Sequence, residues 1–498
     1  MGKLTDRVAK GIFWVLMEKF GIQAAHFVVT LVLARLLTPN DYGTVALVSV
    51  FVSVSDVFIY CGLGTALTRK KYATQVDYNT VFYISLAMAT SLYAVLFFAA
   101  PFVARFYDIG ELCPMLRILA LALIFHSING VQNVELNRKM LFHLSFRISW
   151  VKVIVSSTIG IVLAFCGWGA WALVWASFWG AVTGVVARQL VIRWRPALMF
   201  SWASARELFS FGWKYVLASV ISDLYQNLYV FVIGKLYTKA DLAFVRKGGH
   251  PVRSMMAITT KTLKRVSFTA LAKLQDDPVR LRGAMRKIIN CSSLIAFPAI
   301  AFCLVLAEPM VVALFGEQWR PAVPYLRLAA CSAFFQPFNS VNVQVINATG
   351  RSDVYLRLVI FRRVVGLVIM ACTIPFGILQ FMIAGAFVMG PLSLIVYAWP
   401  NRKLLGYTIE MQLKDIFPML LISLAMGLAV APVLLLDVLP VVQLALAVPV
   451  ALALHAGLTL AFRVRAVGYV AKIVEARAGG RNALLDRLLE FAERRCGE

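Results

Sequence analysis

Long apolar runs alternate with short polar segments along almost the whole chain. A helix needs about 20 mainly apolar residues to cross the hydrocarbon core of a bilayer. The pattern therefore predicts an all-α integral membrane protein with about 14 transmembrane helices. These predicted spans are 12–36, 43–66, 79–103, 114–134, 148–166, 169–190, 208–233, 244–264, 288–314, 323–347, 357–377, 380–399, 416–436 and 440–462.

Composition supports this interpretation. Of the 498 residues, 61% are hydrophobic and only 15% are charged, whereas a soluble domain carries about 25% charged residues. A soluble enzyme and a disordered chain are both excluded. The eight cysteines form no CxxC pair and lie mostly in apolar runs, so we expect neither a disulfide framework nor a metal site. No phosphate-binding loop motif occurs, and we expect no cofactor.

The basic residues predict the orientation of the chain. The formal net charge is +25, but Lys and Arg lie between apolar runs, which favours an anionic membrane surface over nucleic acid as the partner. With the N-terminus in the cytoplasm, the inside segments and the span ends that adjoin them hold 34 Lys and Arg residues, and the outside segments with their span ends hold 7. Cytoplasmic loops are enriched in these residues. We therefore expect both termini in the cytoplasm.

Two segments of the chain repeat. Residues 32–41 resemble 232–241, and 114–117 resemble 324–327. The equivalents are six spans apart, an even number, so the two halves point the same way, as in many transporters. The sequence predicts an N-lobe at 1–200, a C-lobe at 201–405, two extra spans at 406–462 and a basic cytoplasmic tail at 463–498.

Each copy of the first repeated segment contains Thr-x-x-Asp. Thr38 and Asp41 in one copy correspond to Thr238 and Asp241 in the other. A threonine at the N-cap and an acidic residue three positions later are typical of a reciprocal cap at the start of a helix. We expect both pairs to play this structural role.

Span 8 carries a row of cationic residues at helical spacing. Arg246, His250, Arg253, Lys261 and Lys264 fall within an arc of about 80° when helical residues are placed 100° apart. Charged residues inside a membrane generally mark a functional site. We expect this stripe to line a wet cavity and to bind an anion, with Lys19 of span 1 adding to the charge. The alternative is a helix lying on the cytoplasmic surface of the membrane.

Other polar residues within spans have two interpretations each. Acidic residues could bind a coupling cation or could bond neighbouring helices; these are Asp56 and Asp223. Amide side chains could contact sugars or could hold helices together; these are Asn129, Gln132, Gln226 and Asn227.

Several short motifs stand near the ends of spans: LARLLTPNDYG at 33–43, GLGTAL at 62–67, NRKMLF at 137–142, GWGAWALV at 167–174, GEQWRPA at 316–322 and NATGR at 347–351. Together they resemble the motifs of polysaccharide-repeat flippases in the multidrug/oligosaccharidyl-lipid/polysaccharide (MOP) exporter superfamily. The resemblance extends from about residue 10 to 460. It departs at 244–247, where the usual Tyr-x-x-Ala reads FVRK, and at 268–269, where a common Phe-Pro reads Phe-Thr.

This resemblance implies a V-shaped, MATE-like fold of two six-helix lobes with two extra helices. It implies a bacterial inner-membrane flippase, not an enzyme, that moves an undecaprenyl-diphosphate-linked oligosaccharide to the periplasmic leaflet by alternating access. The exopolysaccharide is expected to be of xanthan or succinoglycan type. The expected partners are this glycan, membrane lipids, and the polymerase and export machinery of the polysaccharide.

Two other functions compete with this one. A cation-coupled drug antiporter of the same fold would have a cavity dominated by acidic residues. A membrane enzyme of glycan assembly would need paired catalytic groups, usually in a large external loop. The charges expected in the cavity are mainly basic, which disfavours the antiporter, and the predicted external loops are short, at most about 13 residues, which disfavours the enzyme.

Overall fold

The computed structural model is α-helical, without strands, in the residues that it describes: 21–60, 64, 67, 70, 73–139, 141–192, 195–256, 271, 274–464 and 466–469. Its helices are α1 (Gly21–Leu36), α2 (Pro39–Tyr60), α3 (Gln75–Tyr107), α4 (Leu112–Arg138), α5 (Phe142–Phe165), α6 (Ala170–Val191), α7 (Trp202–Leu236), α8 (Lys239–Gly248), α9 (Pro278–Val305), α10 (Ala307–Phe315), α11 (Val323–Ala333), α12 (Gln336–Ala348), α13 (Ser352–Thr373), α14 (Ile378–Phe387), α15 (Met389–Leu405), α16 (Ile409–Val430) and α17 (Pro440–Ala461).

Within this part of the chain, ten helical segments are long and apolar enough to cross a membrane. They correspond to predicted spans 2–6, 9 and 11–14. Span 1 is described only from Gly21, and span 8 only up to residue 256. The prediction of an all-α membrane protein is confirmed. The ten segments are compatible with fourteen spans, and that number stays a prediction.

Two predicted spans are interrupted helices. Span 10 consists of α11 and α12, which meet at Phe334 and Phe335 just before Pro337. Proline suits the first turn of a helix but not its interior, which explains the break. Span 12 consists of α14 and α15. Gly390, near the start of α15, has its backbone against the Phe335 ring, where a Cβ would come within 2.4 Å of that ring.

The chain divides into two compact units at Ala243 and Phe244, inside α8. The first unit is Met1–Ala243 and the second is Phe244–Glu498. The predicted domain boundaries at residues 200, 405 and 462 follow hydropathy rather than compactness, and they stay a prediction.

In the first unit, α3 packs along α4, α5 packs along α6, and α2 contacts both α4 and α7. The segment that joins α6 to α7 is fastened to the start of α3. Asn79 Oδ1 and Thr80 Oγ1 accept the backbone N–H groups of Ala197 and Ser201, each at 3.1 Å, and Tyr83 OH donates to Ala197 O at 3.2 Å. Both acceptors are buried, so this connection is an integral part of the unit.

A lysine reinforces the same junction. Lys70 Nζ lies 2.8 Å from Glu207 Oε2 of α7 and 3.0 Å from Asp77 Oδ1 of α3. Hydrogen bonds to Glu207 and to Asp77 raise the pKa of Lys70 above its usual value. The lysine therefore remains charged at neutral pH and links two helices that are distant in sequence.

In the second unit, α16 packs along α9, and α17 contacts both α10 and α16. The two helices predicted to be additions are thus integrated into this unit. Arg286 of α9 and Asp415 of α16 form a paired hydrogen bond, and the hydroxyl of buried Tyr407 donates to Asp415 at 2.6 Å. Burial raises the pKa of the Tyr407 hydroxyl, which keeps it a donor at neutral pH.

The predicted caps are present at both copies of the repeated segment. Thr38 Oγ1 lies 2.7 Å from Asp41 Oδ2, and the Thr238–Asp241 pair has the same contact at 2.6 Å. In both, the acidic side chain also accepts the threonine N–H. Asp41 makes one contact more, because its Oδ1 accepts the N–H of Ala170 at the start of α6 at 2.9 Å.

Candidate functional site

An arginine held between two helices is the centre of a polar site in the first unit. Arg188 lies in the last turn of α6, and its Nη1 donates to Asn129 Oδ1 of α4 at 3.1 Å. Its Nη2 donates to Asn133 Oδ1 at 3.1 Å, and Nη1 also donates to Gly184 O at 3.1 Å. These three acceptors, two side-chain amide oxygens and one backbone carbonyl oxygen, fix the plane of the guanidinium.

Two glycines leave room for this arrangement. A Cβ at Gly184 would lie 3.3 Å from Arg188 Nη1 and 3.8 Å from Lys152 Cδ, and one at Gly180 would lie 3.6 Å from Lys152 Cε. The stem of Lys152, on α5, therefore lies along the small residues of α6, with Cδ beside Gly184 and Cε beside Gly180. Lys152 is exposed, and its charge interacts with those of Arg188 and Asp56. Two cations thus share one site.

An acid–histidine pair lies within range of the same lysine. His126 Nδ1 of α4 is 2.9 Å from Asp56 Oδ1 of α2, and both side chains are about one quarter exposed. This is a bond between neighbouring helices, one of the two roles that the sequence left open for Asp56.

We call Arg188, Asn129, Asn133, Lys152, Asp56 and His126 together the polar cluster. With a neutral histidine it carries two positive charges and one negative charge. Arginine forms strong, directional hydrogen bonds to phosphate, and it does so more strongly where water is scarce. The cluster is therefore suited to an anion with several oxygen atoms. It contains no group of three metal ligands, and none was found elsewhere among the described residues.

The amides predicted to contact sugars have different surroundings. Asn129 is buried and oriented by Arg188. Gln132 is 0% exposed, and both polar atoms of its side chain lack a hydrogen-bond partner among the described residues. Such a group is costly to bury, which indicates a place where a water or a polar ligand completes the site. Gln226 is exposed and donates to Ser222 O at 3.3 Å.

The second predicted coupling residue pairs along its own helix. Asn227 Nδ2 donates to Asp223 Oδ2 at 3.1 Å and to Asp223 O at 3.0 Å. Asp223 and Asn227, both half-buried, thus form a local pair on α7.

The predicted cationic stripe is described in part. Lys261, Lys264 and Lys19 lie outside the described residues. After a turn at Gly249 the chain is helical again over 250–256, where Arg253 is exposed and its Nη2 donates to Arg246 O at 2.6 Å. The seven-residue spacing that placed Arg246 and Arg253 on one face is consistent with this contact. His250 is half-buried. The binding role of the stripe stays a prediction.

A neighbouring cation has a different environment. Lys247 Nζ lies 5.4 Å from the Phe315 ring centre and 5.8 Å from that of Trp319. Cation–aromatic contacts of this kind stabilise a lysine inside a protein. Lys247 is thus part of the packing of the second unit at the start of the stripe.

Sequence reasoning missed Arg188 as a site residue. It stands near the predicted end of span 6 and was counted with the cytoplasmic cations. A sequence signal was available, because glycines at 180 and 184 precede Arg188 by two helical turns and one turn. Small residues at that spacing open a path along the helix for a long side chain.

Comparison with known proteins identifies the family of the chain. Residues 32–324 match the family model described as "Polysaccharide biosynthesis protein". The lipopolysaccharide biosynthesis protein WzxC of Escherichia coli (strain K12) is 22% identical over 370 residues, 72% of this chain and 73% of WzxC. The succinoglycan biosynthesis transport protein ExoT of Rhizobium meliloti (strain 1021) is 26% identical over 329 residues, 65% of this chain and 66% of ExoT.

A solved structure shares the fold. The lipid II flippase MurJ, in its inward closed conformation, superposes with a TM-score of 0.70 at 11% identity and covers 90% of this chain and 99% of MurJ. At that identity the likeness establishes the fold alone. The resemblance predicted from the sequence motifs is confirmed by the family match and by the two relatives. Because the family model covers more than half of its residues, the chain belongs to the polysaccharide biosynthesis protein family of membrane transporters and flippases.

Proposed function

We propose that this protein flips an undecaprenyl-diphosphate-linked oligosaccharide from the cytoplasmic to the periplasmic leaflet of the bacterial inner membrane, for the assembly of an exopolysaccharide. The observation that carries the proposal is the oriented Arg188 beside Lys152 in a chain of this family. A diphosphate is the fixed anionic part of such a lipid. It needs cationic partners wherever it leaves water.

The geometry of the polar cluster favours phosphate over a simple counter-ion. Asn129 and Asn133 hold the guanidinium by its two terminal nitrogens, so its plane is set before a ligand arrives. Preorganised donors lose little freedom on binding. Lys152 adds a second, mobile cation. Gln132, with its unsatisfied amide, is placed to bond the first sugar or a bridging water.

The stripe is proposed as a further cationic contact on the route of the diphosphate. The residues proposed for this contact are Arg246, His250, Arg253 and Lys261 of the stripe, with Lys19 of the first span. Gln226 and Asn227 are proposed to meet the sugars. Arg246→Ala and Arg253→Ala are expected to reduce export strongly at unchanged protein level; normal export by both variants would exclude the stripe from the route.

Transport against a gradient requires coupling to an ion or to the membrane potential. We propose Asp56, paired with His126, as the coupling residue, with Asp223 as the second candidate. The Asp56–His126 distance of 2.9 Å allows one shared proton. Both termini are proposed to lie in the cytoplasm, and the polymerase and export machinery are proposed partners on the periplasmic side.

A drug antiporter is the second candidate function. It would be expected to concentrate acidic residues that attract cations, and the polar cluster instead has two cations and one carboxylate. An enzyme of glycan assembly would require an acid and a base facing a common space. The cluster offers one such pair, Asp56 and His126, but their mutual bond engages both groups.

The test is the leaflet in which lipid-linked repeat units accumulate. In cells that lack the gene, they should accumulate on the cytoplasmic side, and expression of this chain should restore their appearance on the periplasmic side. The matched control is Lys414→Ala, which removes an exposed cation paired only with its helix neighbour Glu410 in the contacts seen. Accumulation in the periplasmic leaflet after deletion would contradict the proposal.

A further inference from the structure

An aromatic groove with a single cation at its mouth lies in the first unit, apart from the polar cluster. Its volume is about 630 Å³, within the range of ~300–1,000 Å³ that is usual for ligand sites. It is formed by α2, α3 and α7. Its main lining residues are Phe51, Phe102, Phe106, Tyr107, Phe231 and Lys235.

The floor of the groove is rigid. Phe51 of α2 meets Phe231 of α7 edge to face at 5.2 Å, and Tyr107 OH of α3 donates to Phe231 O at 3.4 Å. Beside them, α2 and α7 touch so closely that a Cβ at Gly234 would lie 2.2 Å from Leu47 Cδ2. These contacts join the three helices at the floor of the groove.

The walls of the groove are open at the side. Phe102 is 70% exposed, whereas Tyr107 at the base is 8% exposed. Within the membrane, an apolar hollow that is open at its side is filled by hydrocarbon chains, because water in it would lose hydrogen bonds. The occupant must therefore bring a hydrocarbon chain.

Lys235 favours an occupant that carries a negative charge beside its hydrocarbon chain. Its Nζ bonds Phe106 O and lies 4.6 Å from the centre of the Phe106 ring, while the side chain stays exposed. The lysine is one residue from the end of α7, and Tyr107 ends α3. The cation therefore stands at the ends of two helices, near one face of the membrane, where the head group of a lipid would lie. The predicted orientation makes this the periplasmic face.

We propose that this groove holds part of the isoprenoid tail of the lipid carrier on the exit side, with Lys235 contacting the carrier's diphosphate. The inference rests on the proposed function, because that function places an anionic polyisoprenyl lipid at this face after each transport cycle. A groove on the first unit would hold the isoprenoid tail of the carrier while the glycan is transferred from the carrier. The same chemistry could hold a phospholipid, which the experiment below separates from the carrier.

The experiment uses the full chain in nanodiscs of phosphatidylethanolamine and phosphatidylglycerol, with a photoactivatable polyisoprenyl diphosphate as the probe. Mass spectrometry should find the label in peptides that contain 102–107 and 231–236. Excess unlabelled undecaprenyl diphosphate should suppress this labelling, and the same excess of phosphatidylglycerol should not. Equal suppression by phosphatidylglycerol, or labelling only elsewhere, would overturn the proposal.

Two variants test the groove itself. Val103→Trp, at a lining position, should abolish the labelling, whereas Val95→Trp, an exposed position on the same helix outside the groove, should leave it intact. Lys235→Gln, an exposed side chain whose loss should not affect folding, should weaken competition by undecaprenyl diphosphate about threefold, as expected for one exposed charge. Unchanged labelling in Val103→Trp, or unchanged competition in Lys235→Gln, would contradict the assignment.

Failure of the inference and failure of the proposed function are distinguishable. Flipping of the complete lipid-linked oligosaccharide is measured in the same preparation. Flipping without labelling of the groove would overturn the groove assignment and leave the function standing. Labelling without flipping by the wild-type chain would overturn the function and support the groove as a carrier-binding site.

Discussion

The two units use equivalent polar positions for different purposes. At the offset of 210 residues found in the repeat, Asn129 and Gln132 of α4 correspond to Asn339 and Asn342 of α12. In the first unit, the amides of α4 hold Arg188 from the last turn of α6. In the second unit, Asn342 bonds Asn401 Nδ2, from the last turns of α15, through its Oδ1 at 2.7 Å.

The network of the second unit is neutral, and one of its acceptors, Asn401 Oδ1, has no hydrogen-bond partner among the described residues. Asn342 Nδ2 donates to Gln412 Oε1 of α16 at 2.9 Å, and Asn342, Asn401 and Gln412 are all fully buried. Amides that satisfy one another in a dry interior fix the packing of three helices. The network of the first unit holds a charge and leaves Gln132 unsatisfied. The comparison indicates that the second unit uses the polar pattern to hold helices together, whereas the first unit uses it to orient a cation.

The largest expected effect is on the stability of the neutral network. Asn342→Leu removes the partner of both polar atoms of the Gln412 side chain and one of the two acceptors of Asn401 Nδ2, at ~1–3 kcal/mol for each buried group. The free energy of unfolding should fall by several kcal/mol, and folded protein should be nearly lost. Thermal unfolding in detergent, followed by size-exclusion chromatography, measures this. The control is Asn339→Ala, which removes one hydrogen bond to Ser393 and should cost much less; equal losses in both variants would contradict the comparison.

The next effect concerns coupling in the charged cluster. Asp56→Asn keeps the shape of the side chain but removes the charge that His126 faces. Stimulation of flipping by a proton gradient should fall about tenfold. A group that transfers protons contributes ~10²–10⁴-fold to a rate, and other groups are expected to replace part of that contribution. Flipping in proteoliposomes with and without an imposed pH gradient measures this. If Asp223→Asn abolishes the stimulation and Asp56→Asn does not, coupling resides on α7 instead.

The smallest effect compares the two repeated caps. Asp41→Ala should destabilise the protein more than Asp241→Ala, because Asp41 also accepts the N–H of Ala170. Loss of a cap costs ~0.5–2 kcal/mol, and the additional hydrogen bond is worth about 1 kcal/mol. Thermal unfolding of the two variants side by side should resolve the difference. Equal destabilisation would show that the bond to Ala170 contributes nothing.

Hydropathy predicted the existence of the membrane helices well, because the need to satisfy every backbone group inside a bilayer leaves few alternatives to a helix. It did not predict the break between α11 and α12. The run of apolar residues continues across Phe334 and Phe335, and only Pro337 marks a new helix start. The two caps were predictable because their bonds are local.

The polar cluster was only partly predictable. Asp56 and Asn129 stood out as polar residues within apolar runs. Their partners did not, because the contacts of Asp56 with His126 and of Asn129 with Arg188 join residues 70 and 59 positions apart. Arg188 in particular lies where a cytoplasmic cation is also expected. Whether a residue near a helix end faces other helices or the cytoplasm depends on tertiary packing, and the glycines at 180 and 184 are only an indirect local signal of it.

The most direct test of the account is the affinity of the purified chain for its lipid-linked oligosaccharide in nanodiscs. Arg188→Ala should weaken binding about 10–100-fold, since hydrogen bonds to a charged group are worth ~1.5–3 kcal/mol, and Arg188→Lys should recover part of the loss. Lys414→Ala should bind as the wild type does. If Arg188→Ala is folded and binds within about twofold of the wild type, a shift smaller than ~0.5 kcal/mol, the polar cluster does not receive the diphosphate.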